Sequence, residues 1–89
     1  MYTKILSWKL KEARKMNGFT QKDVENETGI KQVDISRYET GENKPSIDNL
    51  AKLAEFYGVS VDWLLGIGSK ERNPNYDNET SITSQKRII

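Results

Sequence analysis

Few side chains in this sequence of 89 residues could support catalysis. It has no Cys and no His, which excludes disulfides, thiol nucleophiles, Cys/His zinc sites, Ser-His-Asp triads and imidazole acid-base chemistry. Glu25 and Glu27 are closely spaced carboxylates, but they lie on one helical segment without a polar cleft around them. No glycine-rich loop that could hold a phosphate is present. We therefore expect a binding protein, with no enzymatic activity, no metal and no cofactor.

The segment from Thr20 to Gly41 indicates the kind of binding. It reads TQKDVENETGIKQVDISRYETG, which predicts a helix of about eight residues, a turn containing Gly29 and a second helix of similar length. A two-helix unit of this kind can place its second helix in the major groove of DNA, which is wide enough to admit a helix. The expected chemistry is hydrogen bonding between an exposed helix face and DNA.

Five short helices position this unit. Apolar spacing and cap residues predict helices ending at Asn17-Gly18, running from Thr20 to about Glu27 and from Ile30 to about Glu39, and starting at Ser46 and at Ser60. The predicted apolar stripes of the first and fourth helices contain Ile5, Leu6, Leu10, Ala13 and Met16, and Ile47, Leu50, Ala51, Leu53, Ala54 and Tyr57. No segment shows the alternation of a strand, so the predicted fold class is all-α.

A change of composition divides the chain. Residues 1–68 are predicted to form one domain, and residues 69–89 form a polar, flexible tail with few large apolar groups. The net charge is +1, and residues 1–69 carry ten basic and ten acidic side chains, so any DNA affinity must come from a few placed groups. No apolar run is long enough to span a membrane and no secretory signal is present, which favours a cytoplasmic location.

The order and spacing of several segments from about Leu10 to Leu65 resemble the lambda-repressor-like helix-turn-helix regulators of bacteria and phages, also called the xenobiotic response element family. The matching segments are Gly18-Phe19-Thr20-Gln21, Gly29 in the turn, Ile35 to Glu39 with Gly41, Lys44-Pro45-Ser46, Leu53-Ala54, and Gly58 to Leu65. The resemblance implies a five-helix domain that binds a palindromic DNA operator as a dimer and regulates transcription, with repression the expected direction.

The resemblance also implies roles for individual residues. The expected base-reading residues are Lys31, Gln32, Val33, Asp34, Ser36 and Arg37, and the expected phosphate contacts are Gln21, Asn43 and Lys44. A glutamine can pair bidentately with adenine, and a valine can contact a thymine methyl group. Arg14 and Glu39 match the positions of a structural ion pair in the family. Candidates for an apolar dimer patch are Leu64, Leu65 and Ile67.

Four residues depart from the family pattern, and one of them, Asp34, supports a second hypothesis together with the near-neutral charge and the polar tail. Glu25 and Thr28 replace residues that are usually apolar or small, which weakens the buried face of the second helix, and Lys31 replaces a small hydroxyl residue. Asp34 on the recognition helix is repelled by phosphates unless it accepts a hydrogen bond from a cytosine amino group. The alternative is a protein-interaction module, antitoxin-like or anti-repressor, which uses the same fold and binds a protein partner through the tail.

Overall fold

The computed structural model describes residues 2–67, which form five helices. They are α1 (Tyr2–Met16), α2 (Gln21–Thr28), α3 (Gln32–Thr40), α4 (Ile47–Tyr57) and α5 (Val61–Leu65). No strand occurs between residues 2 and 67, so the predicted all-α, five-helix class is confirmed. The predicted tail from residue 69 onward lies outside the described residues. Within them, no helix combines the length and the apolar character that a bilayer crossing needs.

Side-chain caps fix where three of the helices begin. Thr20 accepts from the backbone N–H of Asp23 while the Asp23 carboxylate accepts from the N–H of Thr20, a reciprocal capping box at the start of α2. Ser46 and Ser60 cap α4 and α5 in the same way, each accepting from the N–H three residues ahead. Gly29 ends α2 with φ of 81°, a left-handed conformation that a side chain disfavours.

The third helix starts two residues later than the sequence predicts. Ile30 is buried in the turn, where its N–H donates to Thr28 Oγ1 at 3.1 Å, so it belongs to the connection and not to α3. Lys31 is the N-cap and provides no side-chain hydrogen bond to the helix. Thr28 Oγ1 also donates to the carbonyl of Val24 at 2.7 Å. The Thr28 hydroxyl, which replaces the usual apolar residue, therefore acts as both a hydrogen-bond donor and an acceptor and is fully satisfied.

One core holds the five helices together, because each helix contributes one large, fully buried side chain. These five side chains are Leu10, Val24, Ile35, Leu53 and Leu64. Around the core, Phe19 stacks on Phe56 with ring centroids 4.8 Å apart. The buried faces of α1 and α4 are narrower than predicted, since Ile5, Met16 and Ala51 are exposed and Ile47 is 84% exposed.

Candidate nucleic-acid interface

The first half of α3 presents a continuous polar face to solvent. Lys31, Gln32, Val33 and Arg37 are exposed, and Ser36 is half-buried. At about 100° per residue, the four positions from Gln32 to Arg37 on this side cover about 140° of the helix circumference. The opposite side carries Ile35 and Tyr38, which are buried. The expected base-reading residues therefore share one accessible surface, with the core fixing the orientation of the helix behind them.

Asp34 lies at the edge of this face, half-buried in the first turn of α3. A carboxylate in the first turn interacts favourably with the positive end of the helix dipole. This interaction compensates in part for Lys31, whose side chain does not cap the helix and whose positive charge lies at the same end. Asp34 thus has a structural reason to be present that is independent of base reading.

A network of four hydrogen bonds around one ion pair links α1, α2 and α3. Arg14 Nε donates to Glu39 Oε2 at 2.7 Å and Arg14 Nη2 donates to Glu39 Oε1 at 3.0 Å, a bidentate geometry. Gln21 Nε2 donates to Glu39 Oε1 at 3.1 Å. Arg14 Nη1 also donates to the carbonyl of Phe19 at 2.9 Å. The Arg14 and Glu39 side chains are only 12% and 4% exposed, so this network holds the beginning of α2 against the end of α3.

The pKa values of two side chains at this network, Arg14 and Tyr57, are raised above their usual values. Hydrogen bonding to Glu39 raises the pKa of Arg14 above its usual value. Burial raises the pKa of Tyr57, and the nearby Glu39 carboxylate raises it further, so this phenol stays neutral. Neither Arg14 nor Tyr57 changes its charge near neutral pH.

The side-chain amide of Gln21 already donates to Glu39, so the expected phosphate contact of Gln21 must be considered for its backbone as well. Gln21 is the first residue of α2, and the N–H groups of a first helical turn have no acceptor inside the helix. Such a helix end attracts anions through its free N–H groups and its dipole. A phosphate contact at Gln21 can therefore use the backbone N–H, while the side chain holds the helix end in position.

The connection between α3 and α4 continues the same surface. Asn43 and Lys44 are exposed, and the N–H of Asn43 donates to the carbonyl of Arg37 at 3.2 Å, which attaches the loop to the end of α3. Asn49 Nδ2 donates to the Tyr38 hydroxyl at 3.0 Å and joins α4 to α3. The loop is thus held at the C-terminal end of the exposed helix face.

The structure corrects the candidate dimer patch. Leu64 is 0% exposed and forms part of the core, so it is not available to a partner. Leu65 is half-buried and packs against the core, whereas Ile67 is 43% exposed. A helix of five residues is too short for its apolar spacing to distinguish a buried side from an exposed one, which is why the sequence reasoning grouped the three.

Exposed apolar side chains lie instead along α1 and at Ile67, two residues after α5. Of the seven exposed large apolar side chains in residues 2–67, four form this group: Tyr2, Ile5, Met16 and Ile67. We call these four residues the α1 apolar face. A Cβ atom placed on Gly66 would lie 3.1 Å from Ile5 Cγ2, so α1 and the end of α5 are in close contact. Sequence reasoning missed this face because it assigned Ile5 and Met16 to the core.

Comparison with known proteins establishes the family. Residues 10–64 match the helix-turn-helix family model, a stretch that runs from the middle of α1 to Leu64 in α5. The chain belongs to the lambda-repressor-like helix-turn-helix family. This family consists of DNA-binding transcription regulators and is not a class of enzymes.

Relatives and solved structures within the family agree with this assignment. The chain is 43% identical over 80 residues to the transcriptional regulator ImmR of Bacillus subtilis, an alignment that covers 90% of this chain and 60% of ImmR. It is 34% identical over 65 residues to the cryptic phage CTXphi transcriptional repressor RstR of Vibrio cholerae, covering 73% of this chain and 58% of RstR. The S. venezulae BldD DNA-binding domain is 37% identical with a TM-score of 0.64, covering 71% of this chain and 94% of that domain.

The chain therefore spans about 60% of the length of the first two of these relatives. What it shares with BldD is the DNA-binding domain itself. The family match covers residues 10–64, so the helix-turn-helix unit and the surface formed by α3 and its neighbours lie within the matched part of this chain.

Proposed function

We propose that this chain is a transcriptional repressor that binds a palindromic operator as a dimer, with α3 of each copy in the major groove. The single observation that carries the proposal is the exposed face of α3, flanked by the N-terminus of α2 at Gln21 and by the loop at Asn43 and Lys44. Two recognition helices of a dimer must lie about 34 Å apart to meet successive major grooves. Bacterial and phage operators lie in the cytoplasm, where we place this activity.

In this proposal the side chains divide into two groups. Lys31, Gln32, Val33, Asp34, Ser36 and Arg37 face the base edges, with Asp34 restricted to accepting from a cytosine amino group. Gln21, Asn43 and Lys44 contact phosphates, which fixes the register of the helix without reading sequence. Because the domain carries equal numbers of acidic and basic side chains, its affinity for random DNA should be low. Its affinity for the operator should be clearly higher.

Selection of bound sequences from random DNA tests the proposal directly. We expect an enriched motif with two inverted half-sites whose centres are about one helical turn apart. The proposal fails if no motif is enriched and the protein binds all DNA no more tightly than about 10⁻⁴ to 10⁻⁶ M at physiological salt.

Replacement of Gln32 by Ala should cost about 1–3 kcal/mol of binding free energy at one base position and relax sequence preference there. Lys44→Ala is the matched control, because it removes a group from the proposed phosphate contacts. It should weaken binding to all sequences alike and lower the slope of log affinity against log salt concentration by about one. A uniform loss in both variants would contradict the division into base-reading and phosphate-contacting residues.

The dimer surface that we propose is the α1 apolar face, which replaces the patch expected from sequence. Contiguous exposed apolar side chains mark interaction sites, and a two-fold dimer uses the same patch on both copies. Ile5→Glu and Ile67→Glu should each shift the protein towards monomer in sedimentation analysis and weaken operator binding. Ile47→Glu, which changes an exposed isoleucine outside this face, should leave the sedimentation profile unchanged. Dimers that persist in both α1-face variants at 1 M salt, where exposed charges are screened within about 3 Å, would rule out this surface.

A further inference from the structure

The charges of the described domain are separated between α1 and the rest. Helix α1 carries five basic side chains and a single acidic one, Glu12. Residues 17–67 carry five basic and nine acidic side chains. The near-zero total therefore hides an excess of positive charge on α1 that is balanced by an excess of negative charge on the other helices.

Three lysines and one tryptophan of α1 form a solvent-exposed stripe, which we call the basic stripe. Lys4, Trp8, Lys11 and Lys15 follow one another at intervals of three or four residues, so they lie on one side of the helix. All four are exposed, and Trp8 is 58% exposed. Within residues 2–67, no carboxylate lies within salt-bridge distance of the three ammonium groups. The stripe thus combines an exposed aromatic ring, with Lys9 Nζ 5.6 Å from its centroid, and ammonium groups that have no carboxylate partner in the described residues.

A groove between α2 and α4 has the opposite character, and we call it the acidic groove. It is lined by Glu27, Thr28, Lys52, Glu55 and Phe56. Glu27 and Glu55 are exposed and form no ion pair within the described residues. Lys52 Nζ is directed to the carbonyl of Thr28 at 3.5 Å. Phe56 is half-buried and held by its stacking on Phe19, which gives the groove a fixed aromatic wall.

We propose that the basic stripe of one copy docks into the acidic groove of a second copy of this chain. Trp8 would pack against Phe56, while Lys11 and Lys15 pair with Glu27 and Glu55. Packing of the two aromatic rings would contribute affinity, and the opposite charges on either side would fix how the two copies are aligned. Helix α1 packs on α3 and α5, whereas the groove lies between α2 and α4, so one copy can use both surfaces together.

This contact differs in kind from the two-fold dimer proposed above. It joins two different surfaces, so each added copy leaves one stripe and one groove free, and the assembly grows head to tail. If the proposed function holds, repressors bound at neighbouring operators would touch in this way and occupy the DNA cooperatively.

The dependence on salt concentration distinguishes the head-to-tail contact from the two-fold dimer. Exposed charges are screened over about 30 Å at 0.01 M salt but over about 3 Å at 1 M. The head-to-tail contact should therefore weaken steeply with salt, while burial of the α1 apolar face is not screened. Sedimentation of the full chain without DNA should show salt-sensitive species larger than a dimer, in addition to any salt-resistant dimer.

Two charge-reversal variants and their mixture test the proposal. Lys11→Glu/Lys15→Glu makes the stripe acidic, and Glu27→Lys/Glu55→Lys makes the groove basic. Each variant alone should weaken head-to-tail association at low salt by about tenfold or more, because like charges then face each other. An equimolar mixture should restore association, since each surface again meets its opposite.

The control variant Glu42→Lys/Asp62→Lys changes the net charge by the same amount as the groove variant at exposed sites outside the groove. This control should associate as strongly as the unchanged chain, whereas the groove variant should associate more weakly. Equal losses in the control and groove variants would attribute the effect to net charge and overturn the proposal. A mixture of the two variants that stays dissociated would also overturn the head-to-tail contact. The proposed function would survive that result, because one dimer can bind one operator without this contact. Circular dichroism confirms that each variant is folded.

Discussion

Replacement of Arg14 by Met is expected to destabilise the domain by about 3–5 kcal/mol, because it leaves the Glu39 carboxylate buried without its charge partner. The Glu39 side chain is only 4% exposed, and Gln21 would be its remaining hydrogen-bond donor in the network. Domains of this size have about 3–10 kcal/mol of stability in total, so a large part of the variant should be unfolded at 25 °C. Urea denaturation followed by circular dichroism measures the change in unfolding free energy.

The double variant Arg14→Met/Glu39→Met separates the ion pair from the packing of the two side chains. Removal of both charges leaves no buried charge unpaired, so the double variant should be more stable than the sum of the two single changes predicts, by about 1–3 kcal/mol. Additive effects would show that the two groups act independently, and that the link between α1 and α3 comes from apolar contacts alone.

Replacement of Leu64 by Ala is expected to cost about 2–5 kcal/mol of unfolding free energy, since its side chain is completely buried among the other core residues. Ile67→Ala is the matched control, because Ile67 is largely accessible and lies three residues away. We expect that variant to change stability by less than about 0.5 kcal/mol. Denaturation midpoints of the two variants give the comparison.

The same two variants distinguish the core from the dimer surface. If Leu64→Ala instead kept its stability and lost only self-association, Leu64 would have to be exposed, contrary to the structure. If the stability loss appears in Leu64→Ala and the change in sedimentation appears on substitution of Ile67, the roles of the two residues are separated as described above.

Much of the local structure could be predicted from the sequence, because it depends on interactions over a few residues. The capping box at Thr20 and Asp23, the serine caps and the C-terminal glycines act within one helical turn, so their residue types mark the helix ends directly. The start of α3 was predicted two residues too early, at Ile30, because its burial in the turn depends on the core beneath it. Lys31 gives no cap signal there.

Part of the candidate interface could likewise be predicted from the sequence, and part could not. The exposed positions of α3 follow from the period of the helix once Ile35 and Tyr38 are on the core side. The hydrogen bond from Gln21 to Glu39 joins residues 18 positions apart in the chain. Nothing in the sequence between them indicates that the Gln21 amide is held by a carboxylate of another helix.

By itself, the sequence determined the helical class, most helix ends, the family and the absence of cysteine and histidine chemistry, since these depend on residue types and short spacings. Only the tertiary structure decided that Leu64 is core, that Ile5 and Met16 are exposed, and that Glu27 of α2 and Glu55 of α4 line one groove. The physical reason is that burial and charge distribution depend on which helix faces meet, and those contacts join residues that are distant in the chain.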